Sequence, residues 1–185
     1  GCGDGRVGLA WAAGELSAPW DDAKRYVGFD RSAALLAARA PWPEGLVPVE
    51  GDLAGRWPPG PFDAICCFAV LHHVPGRTAR RRVLGRIREA LAPGGAWALS
   101  VWQFLHLERF RRRVVGWSEV GLDEASVEAG DHLLDWRRGP RAIRYVHHYQ
   151  PLELVEDCGA AGLRIGRQWT TDDGLGLYVA GGPEH

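Results

Sequence analysis

Short apolar runs alternate with helix-patterned segments along most of this chain, and the alternation ends in two runs divided only by Asp172-Asp173-Gly174. The apolar runs fall at 25–30, 46–50, 62–70 and 96–102. Between them lie a helical pattern through Leu9, Trp11 and Leu16, an Ala/Leu-rich stretch at 32–40 stopped by Pro41, and a pattern over 76–92 with Val83, Leu84, Ile87 and Leu91 on one side. Strands joined through helices lie parallel, so the pattern predicts an α/β fold with a doubly wound sheet. After a helix at 151–161, opened by Pro151, the closing runs at 163–170 and 175–180 are too near each other for a crossover and must be antiparallel. A mostly parallel sheet with an antiparallel hairpin at its end is unusual among dinucleotide-binding folds. Residues 103–150 are mixed in charge and weakly periodic, and read as an insertion or lid on one domain spanning 1–185.

Bulk properties narrow the class. A chain of 185 residues with 46% hydrophobic and 24% charged content suits one well-cored globular domain. The net charge of −1 gives no global attraction to nucleic acid or anionic membrane. No apolar run approaches the ~18 residues of a membrane span, and no signal segment opens the chain. Four cysteines without a C-x-x-C pair or metal-ligand spacing predict a reduced, cytoplasmic protein with no metal centre. Methionine is absent and the chain opens inside a glycine-rich turn, which leads us to expect a fragment. Arginine outnumbers lysine 21 to 1, a bias that reads as genomic composition.

Chemistry concentrates where strands end. Gly1-Cys2-Gly3-Asp4-Gly5 leads into a helix, and such glycines let a ligand approach backbone N–H groups at a helix start. Gly3, Gly5 and Gly8 also satisfy G-x-G-x-x-G, so spacing alone leaves a nicotinamide cofactor, or a turn with no ligand, open. Asp30 ends the next strand, where its carboxylate can accept both ribose hydroxyls of a nucleoside, or cap a helix. Asp52 and Leu53 follow the run at 46–50, suited to an adenine amino group and ring face, or to a loop cap.

Taken with the segment FDAICCFAVLHHV at 62–74 and the LAPGG at 91–95, these features resemble the ordered motifs of class I S-adenosylmethionine (SAM) dependent methyltransferases. The resemblance covers about residues 1–102 and implies a Rossmann-like sheet of seven strands whose last pair is antiparallel, in agreement with the hairpin read from spacing. It implies SAM as cofactor, held by Gly1, Gly3, Gly5, Asp30, Asp52, Leu53 and the strand end Phe68, Ala69 and Val70, with Asp4 and Arg31 in the same turns. The family also carries an acid in its first strand, before the first glycine. That strand is expected to be missing here, because the chain starts too late to show it.

Later segments, AVLHHV, LAPGGAWALSVWQ, DHLLDW, RYVHHYQPLELVEDCGAAG and DDGLGLYVA, are similar to the tRNA wobble carboxymethyluridine methyltransferases, which esterify a carboxymethyl group on uridine. That resemblance reaches Leu133, Trp136, Arg144, Tyr145, His147 and His148, although the family's second aromatic after the arginine is Val146 here. It implies tRNA as the methyl acceptor. A carboxylate, with a pKa of about 4, is already ionised at neutral pH and needs no general base. An arginine fork suits such a group, so Arg144 is the candidate anchor, His147 a second polar contact and Trp102 a wall for a base.

His73, just past the fourth run, could act as a general base for a different acceptor, or could simply pack beneath the cofactor. Arginines 77, 80, 81, 82, 86 and 88, with 109 and 111–113, could face RNA or be a solvated face. Three functions stay open: a tRNA methyltransferase, a small-molecule methyltransferase whose lid is 103–150, and a silent SAM-fold protein that binds a partner. The retained glycines, Asp30 and Asp52 argue against the third. A nicotinamide reductase would leave Asp52 unexplained and lacks a Tyr-x-x-x-Lys pair.

Overall fold

The structure, a computed structural model, describes residues 1–16, 25–38, 40–136 and 142–182. Helix α1 (Arg6–Ala12) follows the glycine turn, and strands β1 (Tyr26–Asp30) and β2 (Leu46–Glu50) pair in parallel on either side of α2 (Ala33–Ala37). Arg39, inside the segment expected to be helical, lies outside the described residues. Strand β3 (Phe62–Phe68), helix α3 (Arg77–Ala90) and strand β4 (Leu91–Trp102) form a second parallel unit. The chain closes with α5 (Pro151–Ala160), β8 (Arg167–Thr170) and β9 (Gly176–Gly181), where β9 runs antiparallel to both β4 and β8. The expected hairpin is therefore present, on a sheet ordered β3-β4-β9-β8. Its first strand is shorter than expected, because the chain first drops Leu163 into the core after Gly162, which holds a left-handed turn at φ 74°.

Among the described residues no ladder joins β1 to β3. The opening turn bridges them instead: the Cys2 N–H donates to the Phe29 carbonyl at 2.9 Å, and Gly1 lies so close to Val70 that a Cβ would meet Cγ2 at 2.4 Å.

Residues 103–150, weakly periodic in sequence, form secondary structure of their own. They contain α4 (Glu108–Arg111) and an antiparallel sheet of β5 (Val114–Val115), β6 (Asp131–Trp136) and β7 (Ala142–His147). This sheet has its own apolar cluster of Phe104, Leu134 and Val146, into which Trp102 and Phe110 pack.

The main core lies between the β3-β4-β9 sheet and the helices α3 and α5. Leu84 on α3, Leu99 on β4, Leu154 on α5 and Leu177 on β9 are fully buried there. Truncating Leu84 to alanine should cost about 2–5 kcal/mol, through lost transfer energy and the cavity left behind. Urea unfolding should show a lowered midpoint at unchanged slope; a loss below about 1 kcal/mol would contradict this packing.

Candidate functional site

The ends of β1, β2 and β3 converge on the opening turn. Asp30 is buried at the end of β1, and its carboxylate is oriented by two backbone donors: Gly3 N–H at 2.7 Å on Oδ2 and Ser32 N–H at 2.9 Å on Oδ1. Each oxygen keeps acceptor capacity for a further donor. Gly3 holds φ at 57° and faces open space, since a Cβ there would meet nothing within 4 Å. Gly5 is constrained differently, by φ at 79° and by Trp42, whose ring would stand 2.2 Å from an added Cβ. The Gly51 N–H donates to the Asp30 carbonyl at 2.9 Å, which brings the turn after β2 beside the turn after β1. Asp52 is exposed and accepts from the Ala54 N–H, while Leu53 packs toward the core. Asp4 pairs with Arg6 at 3.3 Å, and Arg31 is exposed.

Past β3 the backbone is strained. Ala69 has φ of 54°, a left-handed conformation that disfavours a side chain, and its N–H bonds both the carbonyl and the hydroxyl of Ser100. Phe68 packs on Tyr178, and Val70 touches Gly1. The glycines, Asp30, Ala69 and Val70 thus meet at one corner. A carboxylate with spare acceptor capacity, an open glycine and a strained turn fit the nucleoside and amino-acid ends of SAM.

A second group of side chains gathers past β3 and β4. His72 is fully buried and stacks on Trp102 (ring centroids 4.8 Å apart), with His73 against it at 4.3 Å. Among the described residues neither His72 ring nitrogen has a hydrogen-bond partner. Burial holds the His72 ring well below the ordinary histidine range, and His73 and Arg144 push the same way. Burial likewise lowers His73, outweighing the opposite effect of its bond to the Tyr145 carbonyl. That bond joins Nδ1 to a group that can only accept, at 3.0 Å, so Nδ1 carries the proton and Nε2 presents a lone pair.

Arg144 on β7 lays its guanidinium over the Trp136 ring at 4.0 Å. Its charge is partly desolvated, and burial lowers its pKa; among the described residues no carboxylate pairs with it. His147, expected as a second acceptor contact, is instead taken up inside the protein. It is 1% exposed, with Nδ1 at 2.7 Å from Asp131 and Nε2 at 2.9 Å from Glu153.

A family profile described as a methyltransferase domain matches residues 1–97. The chain belongs to that family. It is a SAM-dependent methyltransferase. A relative from Encephalitozoon cuniculi, named as a methyltransferase, is 30% identical over 178 residues, covering 95% of this chain and 73% of that protein. Solved structures share the fold at lower identity. A SAM-dependent methyltransferase from Methanosarcina mazei superposes with a TM-score of 0.69 at 21% identity, covering 97% of this chain and 88% of that one. SAM-bound CalS10, an amino pentose methyltransferase from Micromonospora echinaspora, gives 0.63 at 20% identity, covering 97% and 80%.

Several arginines of the methyltransferase bond within the protein itself. Arg77 and Arg81 both donate to the buried Asp157 of α5, at 2.7 and 2.8 Å, and Arg77 also reaches Glu156. Arg86 bonds the Leu53 and Gly55 carbonyls, Arg109 pairs with Asp173, and Arg111 and Arg112 pair with Glu108. Arg80, grouped by sequence with a solvent- or RNA-facing patch, is fully buried. It occupies the first position of the 80, 83, 84, 87 stripe that α3 turns inward, a helical spacing that marks its direction. Glu128, Asp131 and His147 lie close enough to hold a cation, but the Arg80 guanidinium already supplies the positive charge there, 2.9 Å from Glu128 and 3.9 Å from Asp131.

The desolvated histidines predict a stability that depends on pH. His148 accepts from the Phe104 N–H through Nδ1 and is pushed down to about 4, by burial first and then by His132, His106 and His147. Between the ordinary 6.5 and about 4 the unfolded chain binds a proton that the folded chain refuses. Stability is complete above this window and falls as pH drops through it, with His72 and His73 acting in the same direction. The urea midpoint should be lower at about pH 5 than at about pH 7.5, and His148→Gln should shrink the difference. A midpoint independent of pH would contradict the burial of these rings.

Proposed function

We propose that this methyltransferase esterifies a carboxylate, the carboxymethyl group of a tRNA wobble uridine. The carrying observation is Arg144, a partly desolvated guanidinium with no acidic partner among the described residues, flanked by Trp136 and close enough to the His72–His73–Trp102 cluster to depress both histidines. An unpaired cation removed from water favours an anionic ligand, and its fork matches a carboxylate.

SAM, when bound, supplies an electrophilic methyl group on a sulfonium centre for in-line displacement. Gly1, Gly3 and Gly5 bring the backbone near it, Asp30 accepts from its ribose, and Asp52 and Leu53 take the adenine. Phe68, Ala69 and Val70 border the methyl end, and Asp4 and Arg31 lie in the same turns. The protein's contribution to chemistry is then mainly placement and electrostatics. Trp102 is a wall for the base. Residues 103–150 act as the acceptor-side lid of a single domain, and a tRNA substrate puts the enzyme in the cytoplasm. Among the described residues no helix is long and apolar enough to cross a membrane.

A small-molecule acceptor is favoured by a different observation. Arginines 77, 80, 81, 86, 109, 111 and 112 of the candidate RNA-facing set are paired with acids or carbonyls, and His73 presents Nε2 to take a proton from a hydroxyl or amine. The test incubates the protein with methyl-labelled SAM, tRNA from a host lacking wobble-uridine methyl esterification, and that host's small-molecule extract. Label in tRNA that mild base releases supports the ester reading. Label confined to the small-molecule pool replaces it with the second.

A further inference from the structure

We infer that the buried Arg80 is a positioning residue, which fixes the His73 ring and the placement of Arg144 through strand β7. The inference rests on the roles proposed above for those two side chains.

Arg80 is fully enclosed, yet it faces acceptors from three segments. Its Nη2 lies 2.9 Å from Glu128 and 3.4 Å from Glu153, beside the His147 Nε2 that also bonds Glu153, and its Nη1 lies 3.3 Å from the Tyr145 hydroxyl. The Tyr145 hydroxyl in turn donates to Asp131 at 2.6 Å, and His147 Nδ1 bonds the same Asp131 oxygen at 2.7 Å. Glu128 also accepts the Arg77 N–H that opens α3, so the cluster caps this helix as well. Burial alone would raise Glu153, but His147 and Arg80 hold it below the usual carboxylate range.

An ion cluster of this kind is an expensive way to fill space, because apolar side chains of similar volume often pack as stably. What it adds is direction. β7 is pinned through Tyr145, whose carbonyl accepts from His73 Nδ1 and so selects the His73 tautomer, while Arg144 is its chain neighbour. A shift of β7 would therefore release the His73 ring and displace the Arg144 guanidinium together. Displacements of about 1 Å in positioning elements can change rates by roughly a hundredfold.

The test compares wild type with Arg80→Gln, Arg80→Lys and the milder Tyr145→Phe. Long-range nitrogen–proton NMR of histidine-labelled protein reads the His73 tautomer directly, with His73→Gln assigning the signal. Wild type should show Nδ1 protonated and Nε2 bare. Arg80→Gln and Tyr145→Phe should show mixed tautomers and, on the acceptor found above, a kcat lowered by roughly tenfold or more at SAM affinity within about twofold. Arg80→Lys, lacking the fork, should not restore kcat. If Arg80→Gln does not fold, Tyr145→Phe carries the test. A His73 tautomer that stays single in Tyr145→Phe overturns the inference, as does full kcat in a folded Arg80→Gln protein. Because the NMR readout needs no acceptor, failure to label tRNA would count against the substrate and leave this inference to be judged separately.

Discussion

Replacing Asp30 by alanine is expected to weaken SAM binding by about tenfold to a hundredfold. A hydrogen bond to a charged group contributes about 1.5–3 kcal/mol, and each 1.4 kcal/mol is about a factor of ten in affinity. The Asp30 carboxylate is already oriented by the Gly3 and Ser32 N–H groups, so a ribose hydroxyl meets a fixed acceptor with little ordering left to do. Alanine would remove the ribose contact and also free the glycine turn. Asp30→Asn separates the two effects, since the amide keeps one oxygen for the turn and loses the charge. Calorimetric titration with SAM reads both variants, alongside a melting curve to show that they are folded. Unchanged affinity in folded Asp30→Ala would remove Asp30 from the cofactor site.

Arg144→Ala should lower kcat/KM for a carboxylate acceptor by about a hundredfold, corresponding to the 2–3 kcal/mol of a charge-assisted pair, while SAM affinity stays unchanged. Arg144→Lys should recover only part of the loss. The ammonium keeps the charge but gives up both the planar fork and the stacking on Trp136. Steady-state kinetics with tRNA as the varied substrate distinguish the outcomes. If Arg144→Ala retains wild-type kcat/KM, the acceptor is not held by this guanidinium, and a neutral small molecule becomes the better reading.

The sequence was legible wherever an element is made by apolar residues against a core. Strand β2 appears at the expected residues 46–50, and α3 and the closing hairpin lie close to their expected bounds. These elements announce themselves because burying Val, Ile and Leu imposes a period. Strands β6 and β7 were hidden for the opposite reason. In β6 the buried positions include Asp131 and Asp135, and in β7 they include His147, so polar residues occupy sites that a pattern search assigns to solvent. The buried Asp131 is balanced by Arg80, 3.9 Å away in space but more than fifty positions away on α3, and no local window contains both. The candidate cofactor corner was readable because its residues sit at strand ends in chain order. The candidate acceptor corner was only half readable: Arg144 and His73 were visible as residue types, whereas the engagement of His147 with Asp131 and Glu153 depends on how β6, β7 and α5 meet.

The segment that carries this second corner leaves the sheet at Gln103 and comes back at Tyr149, and its two ends are fastened together. The Tyr149 N–H donates to the Trp102 carbonyl at 3.2 Å, and the Gln103 side chain donates to the Tyr149 carbonyl at 3.3 Å. A stretch whose exits coincide is mechanically a cassette. Its length and content can change without moving β4 or β9, because doubling such an excursion adds only about 0.6 kcal/mol of closure entropy. On the proposed roles, the scaffold can keep its candidate cofactor corner while exchanging what it methylates, and the clasp at Trp102 and Tyr149 is the seam along which such exchanges would be cut.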